Sequence, residues 1–192
     1  MNGIARLLLT KQTIYTIKDL AYLWNIPNEN ALKRKIYYYS STGKLIRLRR
    51  GIFTVNNQEI NNLELANKLI SPSYVTFETV LYKEGINFQY DSRIYSATNT
   101  NSEESIGANT FIYRKLPLDV VFNRNGINEQ SGIFIATAER AIVDTIYYFK
   151  GNFHFDNLDS VNLNKCVELS KLYNDKALIN NICRLIDNVE LK

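Results

Sequence analysis

Residues 44–55 read KLIRLRRGIFTV, and this stretch decides how the first third of the chain folds. Leu45 and Leu48, then Ile52 and Val55, follow an interrupted alternation. It fits two antiparallel strands, Leu45–Arg49 and Ile52–Val55, with Arg50-Gly51 at the turn. Gly51 supplies the positive φ that a tight hairpin often requires. Arg47, Arg49 and Arg50 gather at that turn, where their charge is either a solvated surface or a contact surface. The residues on either side favour one of the two.

Upstream, TIKDLAYLW places Ile17, Leu20, Ala21 and Trp24 at helical spacing. Thr16 is a candidate cap, with Asp19 three positions on, close to a capping box. The helix is expected to stop before Pro27. Asn28 then caps a second helix from Glu29 to about Thr42, ended by Gly43. Two helices joined by a short turn make a helix-turn-helix. On a helical wheel Leu32, Ile36 and Tyr39 share the core side, whereas Asn30, Arg34, Tyr37 and Ser41 share the opposite side within about 60°. Lys33 and Tyr38 flank that outer set. Cations serve phosphates, and Arg or Asn serves base edges. Helix, helix, basic hairpin is the order of a winged helix-turn-helix. The second helix would sit in the major groove, and the hairpin arginines would lie on the backbone or in the minor groove.

Charge is distributed to match. Residues 1–56 hold ten Lys/Arg against two acids, a formal +8, whereas residues 57–192 hold thirteen against seventeen, a formal −4. Taken alone, the Lys-Arg-Lys run at 33–35 reads as a solvated face. With the helix order, the glycine turn and the charge asymmetry, it reads as part of a surface for double-stranded DNA.

These residues carry a family resemblance. TIKDLAYLW, followed by ALKRKIYYYSSTGKLIRLRRGIFTV, resembles the N-terminal winged helix of AbiEi-family antitoxins. These are the antitoxin and repressor partners of bacterial type IV toxin–antitoxin systems, first described as phage-abortive infection systems. SPSYVTFETVLYKEGI (71–86) and IFIATAERAIVDTIYYF (133–149) look like two later segments of the same family. The resemblance covers roughly residues 5–150, in three segments in order, and the last forty residues match nothing. It implies an autorepressor of its own operon on inverted repeats. It also implies a second domain that opposes a cognate nucleotidyltransferase toxin, directly or indirectly.

The polar NNQEINN at 56–62 is a natural hinge, so the expected domains are 1–56 and 57–192. The second is expected to be α+β, with a small, mainly antiparallel sheet and a helical C-terminus. Helices are expected at Leu63–Ile70, at Thr76–Lys83 and from Thr137-capped Ala138 to Phe149. Two more are expected at Asn164–Tyr173 and Lys176–Val189, with Cys166, Leu169, Cys183 and Ile186 facing inward. Arg93–Thr98 and Thr110–Leu116 read as a hairpin around a mobile polar loop, and Asp119–Phe122 and Ile133–Ala136 read as further strands.

No enzyme site emerges. Glu78, Asp119, Glu139 and Asp144 are scattered in sequence, and the Glu-x-Lys of a restriction-type nuclease occurs at Glu190–Lys192, the chain end. No glycine-rich phosphate loop is present. His154, the single histidine, lies between aromatics and reads as structural, without metal partners. Tyr147 and Tyr148 read as helical core. Neither cofactor nor metal is expected, and no run is long enough to span a membrane. Cys166 and Cys183 are expected as free thiols in a cytoplasmic protein. A winged-helix regulator whose second domain senses a ligand or dimerises is the alternative.

Overall fold

The computed structural model describes residues 3–190, with side-chain surroundings given through Asn188. The protein is mixed α+β and divides into two compact units at Leu69/Ile70. That boundary lies thirteen residues beyond the expected one. The supposed hinge is fastened to the first unit. The Gln58 amide donates to the Gln12 carbonyl (2.9 Å), and the Asn61 N–H donates to Thr13 Oγ1 (3.0 Å).

In the first unit α1 (Gly3–Leu8) and the short strand β1 (Tyr15–Thr16) precede α2 (Ile17–Trp24) and α3 (Glu29–Ser41). Strands β2 (Leu45–Arg49) and β3 (Ile52–Val55) follow, then α4 (Asn62–Leu69). The antiparallel sheet has the order β1-β3-β2. Neither α1 nor β1 was legible in the sequence, because each is too short for a periodic signal. Thr16 and Asp19 close a reciprocal capping box at α2, and the Asp19 carboxylate also accepts from Lys68 Nζ at 2.7 Å. Asn25, at φ 53°, ends that helix in the left-handed region, and Asn28 caps α3 through the Ala31 N–H. Leu7, Tyr15, Leu20, Trp24, Leu32, Tyr39, Leu45, Phe53 and Val55 form one core. Trp24 and Tyr39 both reach α1: the indole N–H donates to the Gly3 carbonyl (2.9 Å), and the Gly3 N–H donates to the Tyr39 hydroxyl (3.1 Å). A Cβ on Gly3 would stand 2.8 Å from that hydroxyl, so only glycine fits without a shift. Glu64 of α4 is buried and satisfied by the Thr13 N–H and hydroxyl (2.8 and 2.9 Å) and the Ile14 N–H (3.3 Å).

The second unit contains β4 (Tyr74–Val75), α5 (Glu78–Lys83), β5 (Ile94–Thr98), β6 (Ser102–Ile106) and β7 (Asn109–Lys115). It continues with α6 (Leu118–Phe122), β8 (Ile127–Gln130), β9 (Ile133–Ala136), α7 (Ala138–Tyr148), α8 (Leu163–Ser170) and α9 (Lys176–Glu190). Its six-stranded sheet runs β6-β7-β5-β4-β9-β8 and is mixed, with β5 parallel to β7 and β4 parallel to β9.

Several expectations are corrected here. The expected hairpin of 93–98 and 110–116 is a parallel pair, because the polar segment between them is itself the edge strand β6, returning to β7 through Gly107 at φ 60°. SEESI hid its strand character, since a solvated edge tolerates charge where a central strand needs apolar residues. The expected strand at 119–122 is α6. A four-residue apolar run does not distinguish strand from helix, and here Pro117 leads into a helix burying Val120 and Val121. Helix α5 starts at Glu78 rather than Thr76, behind the buried Phe77 at φ 55°. Cys183 is exposed rather than inward, because the buried row of α9 runs through Leu178 and Ile182. Cys166 is buried, and both thiols are free. The expected Glu-x-Lys extends outside the described residues. No helix among the described residues is long and apolar enough to cross a membrane.

Candidate nucleic-acid interface

Helix α3 divides as its sequence predicts. Leu32 and Tyr39 are buried and Ile36 half-buried, while Asn30, Lys33, Arg34, Tyr37, Tyr38 and Ser41 are all exposed. The core side anchors the helix through Tyr39, whose ring lies 5.5 Å from that of Trp24. The outer side therefore stands as a rigid face presenting an amide, two cations and two phenols. Tyr37 is 75% exposed. Tyr38 leans on Tyr39 at 5.3 Å. Lys33 is partly committed: its ammonium lies 2.6 Å from Glu29 one turn earlier and holds that exposed carboxylate below its usual range. Lys35 belongs to the inner side. Its ammonium sits 4.8 Å over the Trp24 ring, and burial, with Arg6 nearby, depresses its pKa.

The hairpin forms as read. Leu45 pairs with Val55 and Arg47 with Phe53. A bulge then lets Arg49 pair with Ile52, leaving Arg50-Gly51 as the turn. Gly51 has φ 82°. Arg47, Arg49 and Arg50 are exposed, and Arg47 Nε donates to the Arg49 carbonyl at 3.3 Å. The bulge strengthens strand twist and swings the tip. The tip is fixed in place, since the Ile17 N–H donates to the Gly51 carbonyl at 3.2 Å. The base of the hairpin is fixed as well, because the Lys44 N–H donates to the Tyr39 carbonyl at 2.9 Å. The base of β2 is thus tied to the C-terminal part of α3, and its far end carries the arginine turn. Two further exposed residues of the first unit stand on α2. Lys18 and Tyr22, at i and i+4 on α2, are both exposed, with Tyr22 at 85%. Lys18 follows the residue that ties down the arginine turn. Their i, i+4 spacing was the available signal.

The carboxylates considered in the sequence go to separate places. Asp119 is in the first turn of α6, and Glu103 and Glu104 are on β6. Glu139 faces Lys165 at 3.4 Å, and Glu78 is gripped by Arg114 with Nη2 to Oε1 at 2.6 Å. The Arg114 guanidinium is packed against the rings of Phe77, Tyr95, Tyr148 and Phe149 at 4.5–5.0 Å. Asp144 and Arg140 are wholly buried partners. Arg140 donates to Asp144 (3.0 Å), the Tyr74 hydroxyl (3.0 Å), and the carbonyls of Asn125 (2.8 Å) and Val120 (2.9 Å). Asp144 also accepts from Thr76 at 2.7 Å and from Tyr173. Burial, with Asp144 beside them, pushes both the Tyr74 and Tyr173 hydroxyls up. The lone histidine is not packed between aromatics as expected: His154 is 85% exposed, 3.8 Å from Asp156. Tyr147 and Tyr148 do pack internally, against Tyr173 (4.8 Å) and Phe77 (5.8 Å). No group of three or more His, Cys, Asp or Glu among the described residues could hold a metal ion. No family model matches the sequence, and no curated protein is significantly similar to it.

Proposed function

We propose that the chain is an AbiEi-like antitoxin and DNA-binding autorepressor. In this reading the first unit is a winged helix-turn-helix on double-stranded operator DNA, and the second opposes a cognate nucleotidyltransferase toxin. The carrying observation is the outer face of α3, where Asn30, Arg34 and Tyr37 stand exposed on a helix whose other side is locked into the core. The element order supports it: helix, short strand, two helices and a hairpin whose second strand pairs with the short strand. So does charge, with eleven Lys/Arg against four acids in residues 1–69, a formal +7, and a formal −3 in the remainder. Arg34 and Asn30 suit base edges, and Arg47, Arg49, Arg50 and Lys18 suit phosphates. The antitoxin role rests on the resemblance of the three quoted segments.

The test is binding of the purified chain to a labelled fragment of its own upstream region and to random DNA, at several salt concentrations. Tighter binding to the upstream fragment that weakens steeply with salt is expected. Equal, weak binding to both would sink the reading. Sequencing the adjacent gene and co-expressing it with the chain tests the antitoxin half: a nucleotidyltransferase whose toxicity the chain relieves is expected, and an unrelated gene would overturn it. The second reading, a regulator whose second unit senses a ligand, is favoured by a cavity in that unit.

A further inference from the structure

That cavity, of about 560 Å3, lies between the connection after α7 and one face of α9. Its size falls within the range of small-molecule sites. Asn181, Arg184 and Asn188 line it from α9, at positions i, i+3 and i+7, which share one helix face. Phe153 and Phe155 line it from the connection, with ring centroids 5.1 Å apart, and His154 stands between them in the chain. The connection is pressed against the helix at Gly151, where φ is 80° and a Cβ would come within 2.7 Å of Asn181 Nδ2.

What distinguishes the cavity is that the polar groups α9 turns toward it have no partner among the described residues. Arg114 and Arg140 are closed by carboxylates, and Arg93 is closed by Asp91 at 2.6 Å. Arg184 has no ion pair among the described residues, and the Asn181 and Asn188 amides have no hydrogen bond among them. Asp156 Oδ1 lies 3.8 Å from His154 Nε2, and the other oxygen of that carboxylate accepts from the Phe88 N–H at 2.8 Å. Among the described residues no carboxylate lines the cavity, and the fixed charge they place on its wall is the guanidinium of Arg184. The walls therefore offer a cation for an anionic group, two rings for a flat group, and two amides that donate and accept at its edge.

We propose that this cavity binds a nucleotide. Arg184 takes the phosphate, Phe153 and Phe155 together form the apolar wall against which the base lies, and the Asn181 and Asn188 amides meet its polar edge. The inference uses no residue of the first unit and stands whether or not that unit binds DNA. The full-length chain is titrated by calorimetry with AMP, GMP, CMP and UMP, and separately with the matching nucleosides and inorganic phosphate. Saturable one-site binding is expected for at least one nucleotide, about tenfold or more tighter than its nucleoside or phosphate alone. Arg184→Gln, an exposed position that leaves the fold intact by circular dichroism, is expected to weaken that binding by about tenfold, the worth of one charge-assisted hydrogen bond. Asn188→Ala is expected to weaken it for some bases more than others. Failure of every nucleotide to saturate at millimolar concentration overturns the proposal. So does phosphate binding as tightly as the nucleotide, or an unchanged affinity in Arg184→Gln.

Discussion

Replacing Arg140 with methionine tests the buried network that joins α7 to the elements around it. The substitution keeps an unbranched stem in the same space and removes the charge and every donor. Four hydrogen bonds go with it, to Asp144, Tyr74, Asn125 and Val120. The Asp144 carboxylate is left wholly buried with the Thr76 and Tyr173 hydroxyls but no cation. Removing one partner of a buried pair costs about 3–5 kcal/mol, and each stranded carbonyl adds about 1–3 kcal/mol where it is not rescued by water. With one carbonyl rescued by water and the other stranded at about 1 kcal/mol, a loss of roughly 4–6 kcal/mol follows, against a total stability of about 5–15 kcal/mol for a domain. With a urea m-value of about 2 kcal/mol/M, the midpoint should fall by roughly 2–3 M. The assay is urea unfolding followed by far-ultraviolet circular dichroism. Trp24, the single tryptophan, lies in the first unit's core and supplies an internal control. All four Arg140 partners lie in residues 70–192, so the fluorescence transition should stay with wild type. Arg140→Met combined with Asp144→Leu should recover much of the loss, because it removes the stranded charge. A midpoint shift under roughly 0.5 M for the single variant would refute the reasoning, as would a double variant no better than the sum of its parts.

Three further outcomes are expected. Arg49→Ala or Arg50→Ala should weaken binding to all DNA and reduce the salt slope by about 0.9 each, whereas Arg34→Ala or Asn30→Ala should cost about 1–3 kcal/mol on the operator and less on random sequence; filter binding across salt concentrations separates the two patterns. Burial raises the Asp19 carboxyl, but hydrogen bonds from Lys68 and Thr16 outweigh it and leave the group below its unfolded value of 3.8. Its contribution is thus present above that value and lost as pH falls through the lower folded one, so Asp19→Asn should flatten the acid limb of the Trp24-detected stability profile. Burial, with Glu139 nearby, lifts the Cys166 thiol to about 12, while Cys183 is exposed, so a maleimide at neutral pH should label Cys183 quickly and Cys166 only on unfolding, with mass spectrometry locating the adducts.

The legible part of the fold is the part whose residues act locally. Thr16, Asp19 and Asn28 fix helix starts through side-chain oxygens that accept from backbone N–H groups three residues away, Gly51 fixes a turn through its own φ, and all four act where the sequence puts them. The α3 wheel was readable for the same reason, since one helix carries both its faces. The second unit's sheet was not. The parallel pairing of β5 with β7 depends on where β6 goes, and SEESI has no periodicity because its strand lies at a solvated edge. The first-unit boundary was obscured in the same way: NNQEINN is polar, yet the hydroxyl of Thr13 and the carbonyl of Gln12, more than forty residues earlier, claim its hydrogen-bonding groups.

Arginine shows why composition pointed at one surface and missed the other. Counted by charge, Arg34, Arg50, Arg114, Arg140 and Arg184 are equivalent, and the excess falls in the first unit. In the folded chain Arg140 and Arg114 are spent on Asp144 and Glu78, each bound beside aromatic rings, and contribute nothing to any outward field. A unit with a formal −3 can therefore still present a guanidinium with no ion pair among the described residues, as Arg184 does in the cavity with Phe153 and Phe155. Net charge bears on long-range attraction of a polyanion, the role proposed for the first unit. Recognition of a small anion depends on one donor left unpaired in a walled space, and the sequence gives no sign of which arginine that is until the acids have found their partners.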